Sequence, residues 1–471
     1  MSTEFLAQVR AIVGANAVTT DADDMAPYLE ERRGLYFGKA AAMVRPGSTE
    51  EVAAVMKLAH ETDTIVVPQG GNTGLVGGQT PDQSGKAVIL SLSRMNRVRS
   101  LDVENNTLSV DAGVTLAAAQ EAAASASRLF PLSLASEGTC QIGGNLATNA
   151  GGTAVLHYGN ARDLVLGLEI VLADGRIWDG MRGLRKDNTG YDLKQIFLGS
   201  EGTLGIITGA VLKLFPASKS HATAIAAVPT PAAAVSLLRH VEAESGGAIT
   251  SFELMPRIGI EMVCTHVPGA RDPLSAPSPW YVLVELSSGS NGDELNALLE
   301  TSLAGAIERV LVSDAVVAQS DTQRAEFWQV REAMSDAQRH EGGSIKHDVS
   351  VPISNITRFL ERAIEAVQSE LPDIRPVSFG HLGDGNIHFN LSQPKAMETE
   401  AFLAQWTHFN QIVHGIALDL NGSISAEHGI GQLKRDEMAA LKSDVELDLM
   451  RTLKRTLDPK GILNPGKVVS I

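Results

Sequence analysis

Two histidines seven residues apart, His381 and His388, stand in the segment SFGHLGDGNIHFN (378–390), around the turn-forming run Gly383-Asp384-Gly385-Asn386. A helix would bring positions seven apart onto one face, but two glycines and an Asp/Asn pair disfavour a helix here. A straight strand would send the two imidazoles to opposite faces. Two short strands joined by a tight turn let both converge. Downstream, Ser425-Ala426-Glu427-His428-Gly429 adds a carboxylate and a third histidine. His381, His388 and Glu427 make a donor set for a divalent metal with coordination positions left open, and His428 remains to move a proton. Zinc is the first candidate, and manganese or iron tolerate the same mixed nitrogen and oxygen ligands. Glu427 and His428 are neighbours that a regular strand would point in opposite directions. Gly429 and Gly431 permit the bend that lets both serve one site. The other histidines, such as His60, His157, His221 and His347, show no such pairing and read as surface or structural residues.

These side chains need a scaffold, and 471 residues are too many for one ordinary core. Ser48 and Glu51 form a capping-box pattern at the head of a helix over 48–61. Ile65-Val66-Val67-Pro68 follows as a short strand. Further strand-like runs occupy 87–92, 107–111, 165–172 and 205–215, giving a mixed α+β first half that ends near Pro216. Beyond it lie a helix near 231–242, a strand near 280–287 and a helix over 321–340. Ser320 or Asp321 caps that last helix, and Gly342-Gly343 stops it. Helices are also expected over 354–370, 398–420 and 443–457. The domain boundaries follow as 1–217, 218–420 and 421–471. Trp280, Trp328 and Trp406 read as core or interface residues, and Lys434-Arg435-Asp436-Glu437 as a solvated helix face.

The net charge of −16 argues against nucleic acid as a main partner and gives no pull toward an anionic membrane surface. No run of about 18 apolar residues is present to span a bilayer. The N-terminus lacks the pattern of a signal or transit peptide, and a cytoplasmic location is expected. Cys140 and Cys264 match no metal or redox spacing, which fits a reducing compartment.

Four glycine-rich stretches mark the first half: Pro68-Gln69-Gly70-Gly71-Asn72-Thr73-Gly74-Leu75, Ser136–Asn145, Asn149–Gly152 and Gly199–Ile207. The first follows a strand directly, and its missing Cβ atoms let backbone N–H groups wrap an anion such as a pyrophosphate. The spacing is neither a Rossmann fingerprint nor a Walker A loop. Four such loops suit a long ligand with polar ends, a dinucleotide rather than a lone phosphate.

The blocks PQGGNTGL, SEGTCQIGGNLATNAGG, YGNARDLVLGLEIVLADG, GSEGTLGIITGAVLKLFP, FGHLGDGNIHFN, SAEHGIGQLKR and DPKGILNPGK resemble the FAD-linked oxidases related to vanillyl-alcohol oxidase. Within that group the chain is most similar to the D-2-hydroxy-acid dehydrogenases, the D-2-hydroxyglutarate dehydrogenases in particular. The resemblance covers about residues 40–470. It implies an α+β fold with a PCMH-type FAD-binding domain of two subdomains. An antiparallel-sheet substrate (cap) domain with helices and a small C-terminal helical segment complete it. By that resemblance Pro68, Gly70, Gly71, Asn72, Thr73 and Leu75 contact FAD. So do Ser136, Gly138, Thr139, Gly143, Gly144 and Asn145, together with Asn149, Gly152, Ile206 and Asn464. Some relatives attach the flavin through His or Cys. Here the first loop carries Asn72, so a noncovalent flavin is implied, with Cys140 the one alternative in the second region.

The resemblance also assigns His381, His388 and Glu427 to the metal and His428 as the catalytic base. The implied reaction is oxidation of a 2-hydroxy acid to the 2-keto acid, by deprotonation of the hydroxyl and hydride transfer to flavin N5. Arg331 and Ser335, four apart on the expected helix over 321–340, share a face, and Lys346 follows its glycine stop. In the hydroxyglutarate dehydrogenases the equivalent Arg, Thr and Lys bind the substrate carboxylate, and an Asn equivalent to Asn390 also touches substrate. Serine for threonine keeps the hydroxyl and drops a methyl. Lys346 favours a dicarboxylate, D-2-hydroxyglutarate or D-malate, since an unpartnered buried cation is costly. A solvated Lys346, or one paired with Asp348 or Glu341, is the plainer alternative. D-Lactate or glycolate oxidation on the same scaffold is the second reading, and a non-catalytic flavoprotein subunit a third. The implied partners are a small 2-hydroxy acid and an electron acceptor other than NAD, a quinone or an electron-transfer protein. Direct use of oxygen and a homodimeric assembly are compatible with the sequence.

Overall fold

The computed structural model describes residues 3–290 and 294–471. The chain forms two compact units, one made of the chain up to Gly152, Gly159–Ala217 and Glu427–Ile471, the other of Thr153–Tyr158 and Ser218–Ala426.

In the first unit, Ala40–Val44, Ala87–Ser91 and Val66–Gln69 run parallel in a four-stranded sheet whose short outer strand is Val18–Thr19. All five residues of Ala87–Ser91 are buried, as a parallel strand covered on both faces must be. The helix Thr49–Glu61 starts at the expected cap, with the Ser48 hydroxyl accepting the Glu51 N–H at 3.2 Å, but the Glu51 carboxylate takes the Gly47 N–H at 2.7 Å, so the reciprocal half of the expected capping box does not form. A five-stranded antiparallel sheet follows in the spatial order Val98–Asp102, Thr107–Asp111, Ile206–Lys213, Val165–Val171 and Ile177–Gly180. The C-terminal segment joins this unit through the helix Asp444–Leu457, which opens on a reciprocal Ser443/Glu446 capping box. Buried Asp458 then takes the N–H groups of Ile462 and Leu463 at 3.1 and 2.8 Å and the Lys454 ammonium at 2.6 Å. Leu463 bridges to Val66, which sets the last turn of chain beside the strand that feeds the first glycine loop.

The second unit is built on a seven-stranded antiparallel sheet. Its strands are β1 (Ser220–Val228), β2 (Ile249–Pro256), β3 (Trp280–Ser288), β4 (Asp314–Val317), β5 (Ser344–Ser350), β6 (Arg375–His381) and β7 (Asn386–Ser392), in the spatial order β4-β1-β3-β2-β6-β7-β5. Alternation gives the sheet two unlike faces. One carries Ala224, Leu254, Val284, Ile345, Phe389 and Leu391, and packs under the helices Pro231–Ser245, Glu294–Glu308, Ile356–Glu370 and Trp406–Asp419. On the other, Ile225, Met255, Leu283, Val377 and Phe379 pack against residues of Arg257–His266, Asp321–Glu332 and Met334–Ala337.

Two long helices expected from the sequence are interrupted. The helix expected over 321–340 ends at Glu332, restarts as Met334–Ala337 and tightens into a 3₁₀ turn over Gln338–Glu341. The tertiary fold draws Gln338 onto the sheet, where its side chain bonds Ser392 and Asn390 at 3.0 and 2.8 Å. The helix expected over 398–420 splits into Thr399–Leu403 and Trp406–Asp419 where Gln405 leaves the helical region. Lys434 is a further correction, being buried rather than part of a solvated face. No helix among the described residues is long and apolar enough to cross a membrane.

Glu285 on β3 shows how this unit holds a buried charge. Its carboxylate accepts from Thr223 Oγ1 at 2.7 Å, Arg324 Nε at 2.7 Å and Trp328 Nε1 at 2.8 Å. Burial pushes its pKa up, but Arg324 and the hydrogen bonds outweigh burial and hold it below the usual carboxylate range. A carboxyl depressed in the folded state stabilises fully above its unfolded pKa, and that stability is lost as pH falls through the folded value. Glu285→Gln should therefore cost about 3 kcal/mol at pH 7. The gap to wild type should close in denaturant melts below about pH 4.

Candidate active site

In the second unit, register decides which side chains can meet. β6 and β7 form the expected hairpin around residues 382–385, with Phe379 paired to His388 and Val377 to Asn390. β5 pairs Asp348 with His388 and Lys346 with Asn390. β2 pairs Glu253 with His381. Paired residues share a face, so Glu253, Lys346, Asp348, His381, His388 and Asn390 all rise from the same side of the sheet. The His381 and His388 rings lie 5.5 Å apart, nearly perpendicular.

Glu253 is fully buried and uses both oxygens: Oε1 accepts from His381 Nδ1 and Oε2 from Arg331 Nε, each at 2.7 Å. Burial favours the neutral acid, but His381 and Arg331 outweigh it and hold the group down at about 2. Arg331 stacks on the Phe379 ring at 4.8 Å, and Phe379 in turn lies 5.3 Å from the His388 ring. The guanidinium is 7% exposed, and among the described residues its two terminal nitrogens donate to no protein acceptor. Ser335 does not share a continuous helix with Arg331. It sits on the next short turn, and its hydroxyl and carbonyl take the Lys346 ammonium at 2.7 and 3.3 Å. Asp348 takes an Asn386 Nδ2 bond at 2.9 Å and lies 3.8 Å from His388 Nδ1. Among the other histidines, His347 points to the opposite, apolar face and bonds the Phe389 carbonyl at 2.7 Å.

The first unit places Glu427 and His428 in an irregular loop, with Gly429 and Gly431 both at positive φ as the required bend demands. Glu427 Oε1 accepts the Gly152 N–H at 2.7 Å. Buried Glu201 takes the N–H groups of Ile430 and Gly431 at 2.7 and 2.8 Å, so the loop is pinned on both sides of His428. Burial pushes Glu201 above the usual carboxylate range.

The glycine loops of this unit press backbone against backbone. A Cβ at Gly71 would collide with the Thr139 carbonyl, and one at Gly152 with the Ser133 carbonyl. Gly138 and Gly144 instead face open space. Among the described residues the backbone N–H groups of Gly71 through Leu75 donate to no protein acceptor.

Comparison with known proteins decides the family. Residues 40–180 match an FAD binding domain, and residues 217–468 match the C-terminal domain of the FAD linked oxidases. The chain belongs to the FAD-linked oxidases. It is 37% identical over 477 residues to a probable mitochondrial D-2-hydroxyglutarate dehydrogenase of Oryza sativa subsp. indica, covering 100% of this chain and 82% of that protein. It is 35% identical to a D-2-hydroxyglutarate dehydrogenase of Xanthomonas citri pv. viticola, covering 97% of this chain and 95% of the relative. The fold is shared with p-cresol methylhydroxylase at a TM-score of 0.77 and 17% identity, covering 100% of this chain and 98% of the other.

The residues of this FAD-linked oxidase fit its flavin nucleotide. Buried polar atoms without a protein partner gather at the glycine loops: Gln69 Oε1, Asn72 Oδ1, Gln141 Oε1, Asn145 Nδ2 and Asn464 Oδ1. Their other ends are fixed. Asn72 Nδ2 bonds the Pro27 and Glu30 carbonyls at 2.9 and 3.1 Å, and Asn464 Nδ2 bonds the Gly78 and Glu201 carbonyls at 3.0 and 2.8 Å. Cys140 and Cys264 are free thiols, and burial raises the Cys140 pKa.

Sequence reasoning gave no role to Glu253, Glu201, Gln338 or Lys467. A lone acid in the apolar strand ITSFELMP was a usable signal for Glu253, since a buried charge must be paired. Lys467 is 4% exposed, and burial pushes it down to about 8 against the attraction of Asp82 and Glu201.

The two kinds of glycine separate in a test. Gly144→Ala should leave the apoprotein's melting temperature unchanged and weaken FAD at least tenfold, measured by flavin fluorescence titration. Gly71→Ala should instead destabilise the apoprotein itself, because the new methyl meets backbone.

Proposed function

We propose that this protein oxidises D-2-hydroxyglutarate to its 2-keto acid. The observation that carries the reading is a pair of cations in one unit: Arg331, whose terminal nitrogens meet no protein acceptor among the described residues, and Lys346, seated on Ser335. A dicarboxylate has two anionic ends to match them, and a guanidinium grips one end with two parallel bonds. The relatives named D-2-hydroxyglutarate dehydrogenase support the same substrate. Arg331, Ser335, Lys346 and Asn390 then bind it, and D-malate is a shorter candidate.

FAD is held noncovalently in this reading. Asn72 stands where an attaching histidine would be needed, and Cys140 is buried with a raised pKa. Its contacts are Pro68, Gly70, Gly71, Asn72, Thr73, Leu75, Ser136, Gly138, Thr139, Gly143, Gly144, Asn145, Asn149, Gly152, Ile206 and Asn464.

His381, His388 and Glu427 hold a divalent ion, zinc before manganese or iron. Asp348, paired with His388 across neighbouring strands, joins as a further donor. Imidazole and carboxylate together suit these borderline metals and no alkali ion. When bound, the ion supplies Lewis acidity at the substrate hydroxyl, and the flavin supplies an acceptor for the hydrogen and electron pair that leave Cα. The chain's own part is to orient and to move a proton. Arg331 and Lys346 fix the carboxylates, Asn390 is held by Gln338 against the same face, and the His428 imidazole takes the hydroxyl proton. An acceptor that is a quinone or electron-transfer protein, a homodimeric assembly and a cytoplasmic location belong to the proposal on the sequence alone.

An anaerobic screen of D- and L-2-hydroxy acids, watching flavin bleach, tests the substrate. Lys346→Met should raise KM for D-2-hydroxyglutarate at least tenfold and leave D-lactate unaffected; equal losses would favour the D-lactate reading. His428→Ala should keep its flavin and slow flavin reduction by about 10²–10⁴. Exhaustive chelation should abolish turnover, and activity that survives it would remove the metal from the account.

A further inference from the structure

We propose that Glu253 is a positioning residue that locks the ligand histidine His381 and the substrate arginine Arg331 into one register. The inference rests on the metal and substrate reading above. No sequence motif and no role assigned so far includes Glu253, yet its carboxylate joins the two.

The chemistry follows from the two 2.7 Å bonds. Arginine can only donate, so the oxygen it meets must accept. The guanidinium at 2.7 Å keeps this carboxylate ionised, so its second oxygen accepts as well and the 2.7 Å contact places a proton on His381 Nδ1. Its neutral ring then has its lone pair on Nε2, the atom a metal requires. The same bond fixes the plane of the guanidinium by its Nε and directs the two terminal nitrogens away from Glu253. Phe379 closes the arrangement, with Arg331 stacked on its ring and His388 beside it. A shift of the Glu253 carboxylate would disturb both ends at once, the hand that grips a carboxylate and the ring that holds the ion. β2 pairs with β6 through Glu253 and Leu254, opposite His381 and Gly380, so the register itself brings this acid to His381.

Glu253→Gln is diagnostic because it keeps the shape and reverses one polarity. The amide oxygen can still serve Arg331, but the amide nitrogen then offers N–H to His381 Nδ1. That favours the tautomer protonated on Nε2 and blocks the ligand atom. Glu253→Asp keeps the charge and cannot reach both partners. Glu285→Gln, the same change at a buried acid of the neighbouring strand that touches neither residue, controls for lost stability.

Zinc affinity by chelator competition on the flavin-loaded protein should fall about 10–100-fold in Glu253→Gln. KM for D-2-hydroxyglutarate should rise at least tenfold, with flavin content unchanged. Glu285→Gln should lower the melting temperature comparably and move neither reading. Wild-type zinc affinity and KM in Glu253→Gln, or losses no greater than those of Glu285→Gln, would overturn the proposal. A wild-type protein that holds no zinc would overturn the metal reading and with it the histidine half. KM would still decide the arginine half.

Discussion

A slip of one residue in the pairing of β6, β7 and β5 would turn the second unit inside out. His381, His388, Asn390, Lys346 and Asp348 would enter a core filled by helices, and Ile345, Phe389 and Leu391 would replace them. Burying that many polar groups without partners costs several kcal/mol each, so the apolar face enforces the polar one. The turn supports the same register. Gly385 sits at positive φ against the Val351 carbonyl, where a side chain would collide. Burial on one side of a sheet thus sets the chemistry on the other.

The first unit obeys a different constraint, close approach of backbone. Gly71 against Thr139 and Gly152 against Ser133 leave no room for a Cβ, and the first loop so packed leaves consecutive N–H groups without protein acceptors among the described residues. A surface made of backbone is indifferent to most side chains and intolerant of extra atoms. The C-terminal segment is recruited into this scaffold by buried polar bonds. Asp458 organises the turn that carries Asn464, and Glu201 holds the loop that carries His428. Both acids spend their oxygens on backbone N–H groups and so fix the course of the chain there.

Much of the fold was legible because its signals are local. The capping residue Ser48, the strands over 87–91 and 107–111, and the hairpin around residues 382–385 each declare themselves within a few positions. The helix expected over 321–340 is broken at Ala333 and tightens at Gln338, whose bonds to Asn390 and Ser392 join it to a strand more than 50 residues away that no local pattern announces. Glu253 was passed over for a related reason. Its partners lie 78 and 128 residues further along the chain, and no local pattern announces them.

The sequence by itself determined the residue types, the turn that folds His381 toward His388, the glycine loops and the family they signal, because period, turn chemistry and missing Cβ atoms act over short range. Only the tertiary structure decided that one buried carboxylate joins Arg331 to His381, that Lys346 bonds Ser335, and that Glu201 anchors the loop after His428. Those contacts join residues far apart along the chain. Their existence depends on sheet order and register, which are settled by the packing of whole faces rather than by any neighbouring residues.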